Sequence, residues 1–566
     1  MILFPPPKKV QLLEGASAFT QNRVRFPHAA SPRLKSAVAR LGFQPASEGI
    51  ELNIGSHPPV GYTISANGDS IAIRASDEES AFRAFTTFRQ LLRQRDERIP
   101  ALLIEDSPDL ETRGFMLDIS RCKVPRKSSL FSLIDKLADL KYNQLQLYTE
   151  HTFAYRDHRL VWQDASPLTA DEIQEIDSYC YDRYIELVPN QNTFGHMERW
   201  LRHKPYQSLA ESPNGFLHPL SGWKEHGSTL KPDQASLDFV ASLLEELLPN
   251  FRSSKVNIGG DEPWELGQGA SKTLVNTRGK HAVYLDHLLR IQKLVSKSGR
   301  QPQFWGDIVM EKPSLVSELP SGTTALLWGY EANHPFAEQC AIMQQAGLPY
   351  YVVPGTSTWN SIGGRLSTAL LNIEAATDNA LAHGATGLLL TEWGDNGHHQ
   401  SDLLKIPSAL YAAGRAWNKH ATHRDHLSTA ARLVFSDLTT ERDFRDLMEL
   451  GRIPDHFSQP LHNASWLNKV LFASKKDFQA IRDSISLKEV TACIDNLNTI
   501  NASHSSLAVS RELLLFAAHK AHSILNNQAP AAIPQELLNR FEEDWLSRNR
   551  PGGLAESLTM LATPNS

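Results

Sequence analysis

"VNIGGDEPWE" (256–265) ends an apolar run on two glycines and then sets an aspartate beside a glutamate. Adjacent acidic residues also stand at 105–106, 171–172 and 245–246, so a bare acidic pair means no more than a solvated turn. In a regular strand, neighbours project to opposite faces, and two adjacent carboxylates could not serve one ligand. Glycines at a strand end relax that constraint, because they accept backbone angles other residues avoid. Pro263 then ends the pairing, since it has no N–H. Strand, double glycine and acidic pair together read as a catalytic strand end, with Asp261 and Glu262 as the working carboxylates.

The flanking sequence says which kind of strand this is. Short apolar runs recur at 113–120, 143–149, 184–190, 255–260, 302–306, 324–329, 350–355 and 386–393. Amphipathic stretches lie between them, for example 128–141, 169–182, 234–248 and 281–298. Strands alternating with helices imply parallel βα units. Eight runs over this length predict an α/β fold, a closed (β/α)8 TIM barrel, at 109–423. A doubly wound open sheet is the competitor, but no glycine-rich nucleotide turn follows the first run.

Residues 1–108 read as a small α+β domain. "YTISANGDSIAIRA" (62–75) alternates on both sides of Asn67-Gly68, a hairpin signal, and a helical face follows at 81, 82, 85, 88, 91 and 92. Residues 424–566 carry helical periodicity without a convincing strand, and the last dozen residues are expected to fray.

Composition excludes several classes. Of 566 residues, 41% are hydrophobic and 21% charged. Both values are ordinary for a globular chain. A net charge of −6 gives no reason to expect nucleic acid or an anionic membrane as partner. Four scattered cysteines suit reduced, buried thiols better than a disulfide scaffold or a zinc site. "MILFPPPKKV" lacks the features of a secretory signal, and no run approaches a membrane span, which points to a cytoplasmic protein. No cofactor or metal is expected. His398-His399 reads as a solvated loop, because adjacent histidines rarely hold an ion without a third ligand at suitable spacing.

In a barrel, chemistry sits at the C-terminal strand ends. The second run leads there to Glu150, the third to Asn190 with His196 beyond, and the fourth to Asp261 and Glu262. The fifth and sixth bring Trp305, Asp307, Trp328 and Tyr330, the seventh Trp359 and Asn360, and the eighth Trp393 and Asp395. Aromatic faces, amides and carboxylates at one rim suit a sugar, with rings stacking on the pyranose and polar groups on its hydroxyls. His196 stands open between a satisfied loop histidine and a pocket residue. Trp162 and Trp200 fit core packing equally well.

"NIGGDE" (257–262) together with "RGFMLDISR" (113–121) resembles glycoside hydrolase family 20, the β-N-acetylhexosaminidases. The resemblance covers the first domain and the barrel. It implies exo-acting, retaining hydrolysis of terminal β-linked GlcNAc or GalNAc, in which the substrate's own 2-acetamido oxygen attacks the anomeric carbon. By this resemblance Glu262 is the general acid, Asp261 orients the acetamido group, and Arg113 binds sugar hydroxyls with Asp395. Trp328 and Trp393 match the aromatic walls, and His196 a supporting histidine with Glu150 its carboxylate partner. A tyrosine common in the family after the seventh strand is missing from "VVPGTSTWN", leaving Tyr330 or Asn360 as the substitute. The partner implied is a glycan or amino-sugar oligosaccharide; the oligomeric state is open. Two alternatives stand beside this reading, a catalytically idle carbohydrate-binding barrel and a barrel glycosidase with an ordinary two-carboxylate mechanism.

Overall fold

The computed structural model describes residues 2–563 except positions 17, 20, 56–57, 69, 95–97, 220–221 and 436–439. The N-terminal unit is a seven-stranded sheet running, edge to edge, Lys9–Leu12, Leu102–Asp106, Tyr62–Asn67, Ser70–Ala75, Ile50–Ile54, Arg23–Arg25 and Gln44–Pro45. The expected hairpin forms, with Tyr62 opposite Ala75 and Asn67 opposite Ser70; Asp69 of its turn lies outside the described residues. Inward positions Ile64, Ile71 and Ile73 are buried. Helix Glu78–Arg93 covers them, capped by Asp77 accepting from Ser80 N–H, and buries Phe82, Phe85, Phe88 and Leu91.

All eight predicted runs are strands of one closed parallel barrel: Thr112–Asp118, Gln144–Thr149, Glu186–Gln191, Lys255–Asn257, Gln301–Trp305, Thr324–Trp328, Tyr350–Val353 and Gly387–Glu392. Closure pairs the first strand with the eighth, Arg113 opposite Leu388 and Leu117 opposite Glu392. The predicted helices follow, at Lys127–Asp139, Ala170–Tyr181, Gln234–Leu247 and Lys280–Lys297. Ala170–Tyr181 carries a complete capping box, Thr169 with Glu172.

Part of the barrel interior is polar rather than aliphatic. Asn190 and Asn257 each donate to Gln146 Oε1 at 3.0 Å, and Gln146 donates to Gln303 at 2.9 Å. The pairing is incomplete, since Asn190 Oδ1 and Gln303 Nε2 remain without a partner. Asn190 stands in register with Tyr148 on the second strand and also reaches Met116 Sδ at 3.6 Å.

After Glu392 the described residues contain helices and no strand. Ser505–Leu525 is the central one, packed on Trp466–Leu471 and Leu487–Thr499. Two expectations fail here. Leu554–Ala562 is an ordered helix against the barrel rather than a frayed end, while residues 564–566 lie outside the described set. His398 and His399 are not solvated: both are buried between barrel and helices, with His399 against Phe472 and Phe541. Burial lowers the His399 imidazole to about 4, keeping it neutral. No described helix is long and apolar enough to cross a membrane.

Candidate active site

The fourth strand stops at Asn257, and the next residues turn sharply. Gly259 and Gly260 have φ +70° and +93°, and Glu262 itself has φ +45°. At Gly259 a side chain would also collide with the Asn192 amide, so glycine is required twice over. Asn257 Oδ1 accepts from Gly259 N–H at 3.0 Å, and Asp307 accepts from Glu262 N–H at 3.1 Å. These bonds hold the turn that brings both carboxylates to one side.

His196 joins them. Its Nε2 lies 3.1 Å from Asp261 Oδ2 and 3.6 Å from Glu262 Oε2, charge contacts rather than aligned hydrogen bonds. Burial alone would lower this imidazole, but the Asp261 carboxylate overrides burial and raises it to about 9. Burial raises the Glu262 carboxyl above its ordinary range; His196 pulls against this, and Asp261 and Asp395 add to it. Burial, then Asp261, lifts Asp307 much further.

Aromatic residues form the floor and wall. Trp305, Tyr330, Trp359 and Trp393 are buried in one cluster with Tyr148 and Met116, and Trp328 packs on its edge. Trp328 stacks on Tyr330 with centroids 5.3 Å apart. Tyr330 meets Trp359 edge-on at 5.0 Å. Both are favoured arrangements for ring quadrupoles. Trp393 Nε1 donates to Tyr330 Oη at 2.7 Å. That bond leaves the phenol its own proton to give. The Asn360 amide is engaged elsewhere, accepting from Asn396 at 2.9 Å and donating to the Asn463 carbonyl at 3.4 Å. Asp261 Oδ1, Trp305 Nε1, His196 Nε2 and Asn192 Oδ1 are buried here without a hydrogen-bond partner.

One assignment needs correction. Arg113 is the second residue of its strand, so it lies at the opposite end of the barrel from the carboxylates. Its guanidinium is buried and donates to the carbonyls of Lys141, Leu110 and Glu111 at 2.8, 2.9 and 2.7 Å, with Glu79 at 3.2 Å. It fastens the first strand to its neighbours and cannot reach a ligand at the mouth. The arginine at the rim is Arg121, three residues past the strand. It contacts Asp118 at 3.0 Å, His196 Nδ1 at 3.4 Å, Glu150 at 3.5 Å and Asp395 at 3.6 Å. Its guanidinium also lies over the rings of Tyr148 and Trp393, at 4.8 and 4.9 Å. Such a placement draws the cation to the ring faces. Glu150 accepts from Tyr148 Oη at 2.9 Å and is buried beside this cation.

Sequence reasoning missed Arg121, Asp118 and Tyr148, and gave Asp307 no role. The signal for Arg121 was available: it follows the strand, whereas Arg113 opens it, and only the following side of a barrel strand carries chemistry. The structure does gather Asp261, Glu262, His196, Glu150, Asp395 and the aromatics Trp305, Trp328, Tyr330, Trp359 and Trp393 at one mouth. Arg113 is outside it, Asn190 lies against Met116 beneath the aromatic cluster, and Asn360 borders it.

The model of the glycosyl hydrolase family 20 catalytic domain matches residues 111–353, and that of domain 2 of the same family matches residues 1–107. Together they cover more than half of the chain. The chain belongs to glycosyl hydrolase family 20. A "Beta-hexosaminidase" of Akkermansia muciniphila is 25% identical over 272 residues, 43% of this chain and 55% of the relative. "Beta-hexosaminidase subunit alpha" of Bos taurus is 23% identical over 372 residues, 60% of this chain and 65% of the relative. The chain thus spans less than two thirds of these relatives. Among solved structures, a Flavobacterium johnsoniae chitobiase superposes with TM-score 0.64 at 15% identity and covers 99% of both chains. At that identity the likeness is one of fold, and it extends through the helical C-terminal region.

Proposed function

We propose that this family 20 protein is an exo-acting, retaining β-N-acetylhexosaminidase that removes terminal β-linked GlcNAc or GalNAc from a glycan. The observation that carries the reading is the unpartnered, buried Asp261 Oδ1 beside a Glu262 carboxyl raised by burial. A buried acceptor without a protein donor is open to a donor on a bound ligand. An acetamido N–H does so, and in doing so turns the acetamido oxygen toward the anomeric carbon.

Burial favours the protonated Glu262, which delivers its proton to the leaving glycosidic oxygen. The acetamido oxygen displaces that group and forms an oxazolinium-type intermediate. Glu262, now ionised, activates the water that opens it. His196 balances the negative charge of Asp261, and that of Glu262 once it has given up its proton. Tyr330 donates to the acetamido oxygen, taking the place left open between it and Asn360. Trp305, Trp328 and Trp393 enclose the acetamido group and ring, and Arg121 with Asp395 binds ring hydroxyls.

The reading agrees with relatives named beta-hexosaminidases and with a Streptomyces plicatus beta-hexosaminidase, 20% identical, whose structure holds the product GlcNAc. Aryl β-N-acetylglucosaminide and β-N-acetylgalactosaminide test it, with a thiazoline mimic of the intermediate as inhibitor. Hydrolysis of at least one, blocked by the thiazoline, is expected. Hydrolysis confined to glycosides without a 2-acetamido group would overturn the mechanism. Sugar binding without hydrolysis would make the protein a lectin-like barrel.

A further inference from the structure

The last helix, Leu554–Ala562, touches both loops that carry the proposed hydroxyl-binding pair. On the first-strand side, Cys122 follows Arg121 directly and has φ +68°. Gly553, at φ +78°, lies so close that a Cβ there would overlap the Cys122 carbonyl. Glu556 receives two guanidinium nitrogens of Arg199 at 2.8 and 2.9 Å, and Arg199 reaches Cys122 Sγ at 3.9 Å. Just before the helix, Arg550 N–H donates to the Val124 carbonyl at 2.8 Å.

On the eighth-strand side, Ser557 Oγ donates to the Gly397 carbonyl at 2.6 Å, and His399 Nε2 lies 3.0 Å from the Ser557 carbonyl. Gly397 is two residues past Asp395 and has φ +97°; a Cβ there would press on Met560 of the same helix. Lys123 Nζ, donating to the Gln400 carbonyl at 2.9 Å, ties the two loops to each other. Both loops therefore pass through left-handed backbone next to their working residue, and both are fixed there by this one helix.

We infer that the Leu554–Ala562 helix is the positioning element of the Arg121–Asp395 subsite, setting the spacing of the two groups and thereby the discrimination between sugars epimeric at a ring hydroxyl. Neither Glu556 nor Ser557 touches substrate; they act through Cys122 and Gly397. A guanidinium fork and a carboxylate that share a sugar's hydroxyls must be held to within about 0.5 Å, and loops alone do not give that precision. The inference rests on reading Arg121 and Asp395 as the hydroxyl-binding pair.

The test uses the full chain with Ser557→Ala, Glu556→Gln, their combination, and Gly553→Ala. Hydrogen exchange is measured over 118–126 and 394–400, and kinetics on the two aryl glycosides, which differ only at one ring hydroxyl. Faster exchange in both loops is expected. KM should rise about five-fold per lost hydrogen bond with kcat little changed, and the ratio of kcat/KM between the epimers should shift. A merely stabilising helix would lower the melting temperature and leave that ratio alone. Wild-type exchange in both loops of the folded double variant, or an unchanged epimer ratio, overturns the inference. Faster exchange in a protein whose wild type hydrolyses neither glycoside supports the clamp and instead removes the reading of the site as a hexosaminidase.

Discussion

His196 Nε2 stands 3.1 Å from Asp261 and 3.6 Å from Glu262, so one imidazole faces both adjacent carboxylates. Two acids and one base in this arrangement can divide protons unequally. Burial with the neighbouring acids favours the proton on Glu262, while His196 retains its own up to about pH 9. A proton donor beside a fixed cation is what leaving-group protonation asks for.

Glu262→Gln should lower turnover on an unactivated disaccharide by about 10²–10⁴-fold, the usual worth of positioned proton transfer. An aryl glycoside with a good leaving group should suffer less in its first step. Near-native rates on the disaccharide would remove Glu262 as the acid. Asp261→Asn should reduce kcat and kcat/KM together; a rise in KM alone would assign Asp261 to uniform binding.

The raised His196 pKa links stability to pH. The folded-state value is about 9 against about 6.5 unfolded, so the native state holds a proton the unfolded chain releases between these values. The stabilisation is complete below about pH 6.5 and is lost as pH rises through about 9, at most about 3 kcal/mol. Denaturant titrations from about pH 6 to about pH 10 should show that decline in the wild type and a flatter profile in His196→Gln. Parallel profiles would mean the imidazole is not held charged.

Arg121 and Arg113 should behave as different kinds of residue. Arg121→Lys should raise KM for either amino sugar about ten-fold or more, because an ammonium cannot reproduce the fork, with little loss of stability. Arg113→Ala strands three carbonyls at the far end of the barrel and should cost about 3 kcal/mol of stability without changing KM in the folded fraction. Urea midpoints and KM measured on both variants distinguish them; exchanged phenotypes would reverse the assignment.

Tyr330→Phe removes one donor while keeping the ring against Trp328 and Trp359. If the phenol meets the acetamido oxygen, kcat should fall about ten-fold and affinity for a thiazoline inhibitor should fall with it. Asn360→Ala should leave both nearly unchanged, since its amide already serves Asn396 and Asn463.

The barrel was legible because its information is local. Apolar runs such as 113–120 and 386–393 alternate with amphipathic stretches, and that periodicity predicts strands and helices without knowledge of their neighbours. The Asp261–Glu262 pair was legible for the same reason, since glycines, acids and proline stand in one stretch. Arg121 was missed because Arg113 and Arg121 occur in one short run, 113–121, and choosing between them needs the direction of the strand, not its composition. His399 was misread because its burial comes from Phe472, Phe541 and Ser557, far along the chain, and His398 beside it is buried too.

The φ of +45° at Glu262 sets chemistry against durability. A non-glycine residue there carries backbone strain of about 1 kcal/mol or more, and its carboxyl is further penalised by burial. Glycine at 262 would relax both, so the Glu262→Gly protein should melt at a higher temperature than the wild type. Selection for a sturdier fold, left to itself, would erase the carboxyl to which the proposed activity is assigned.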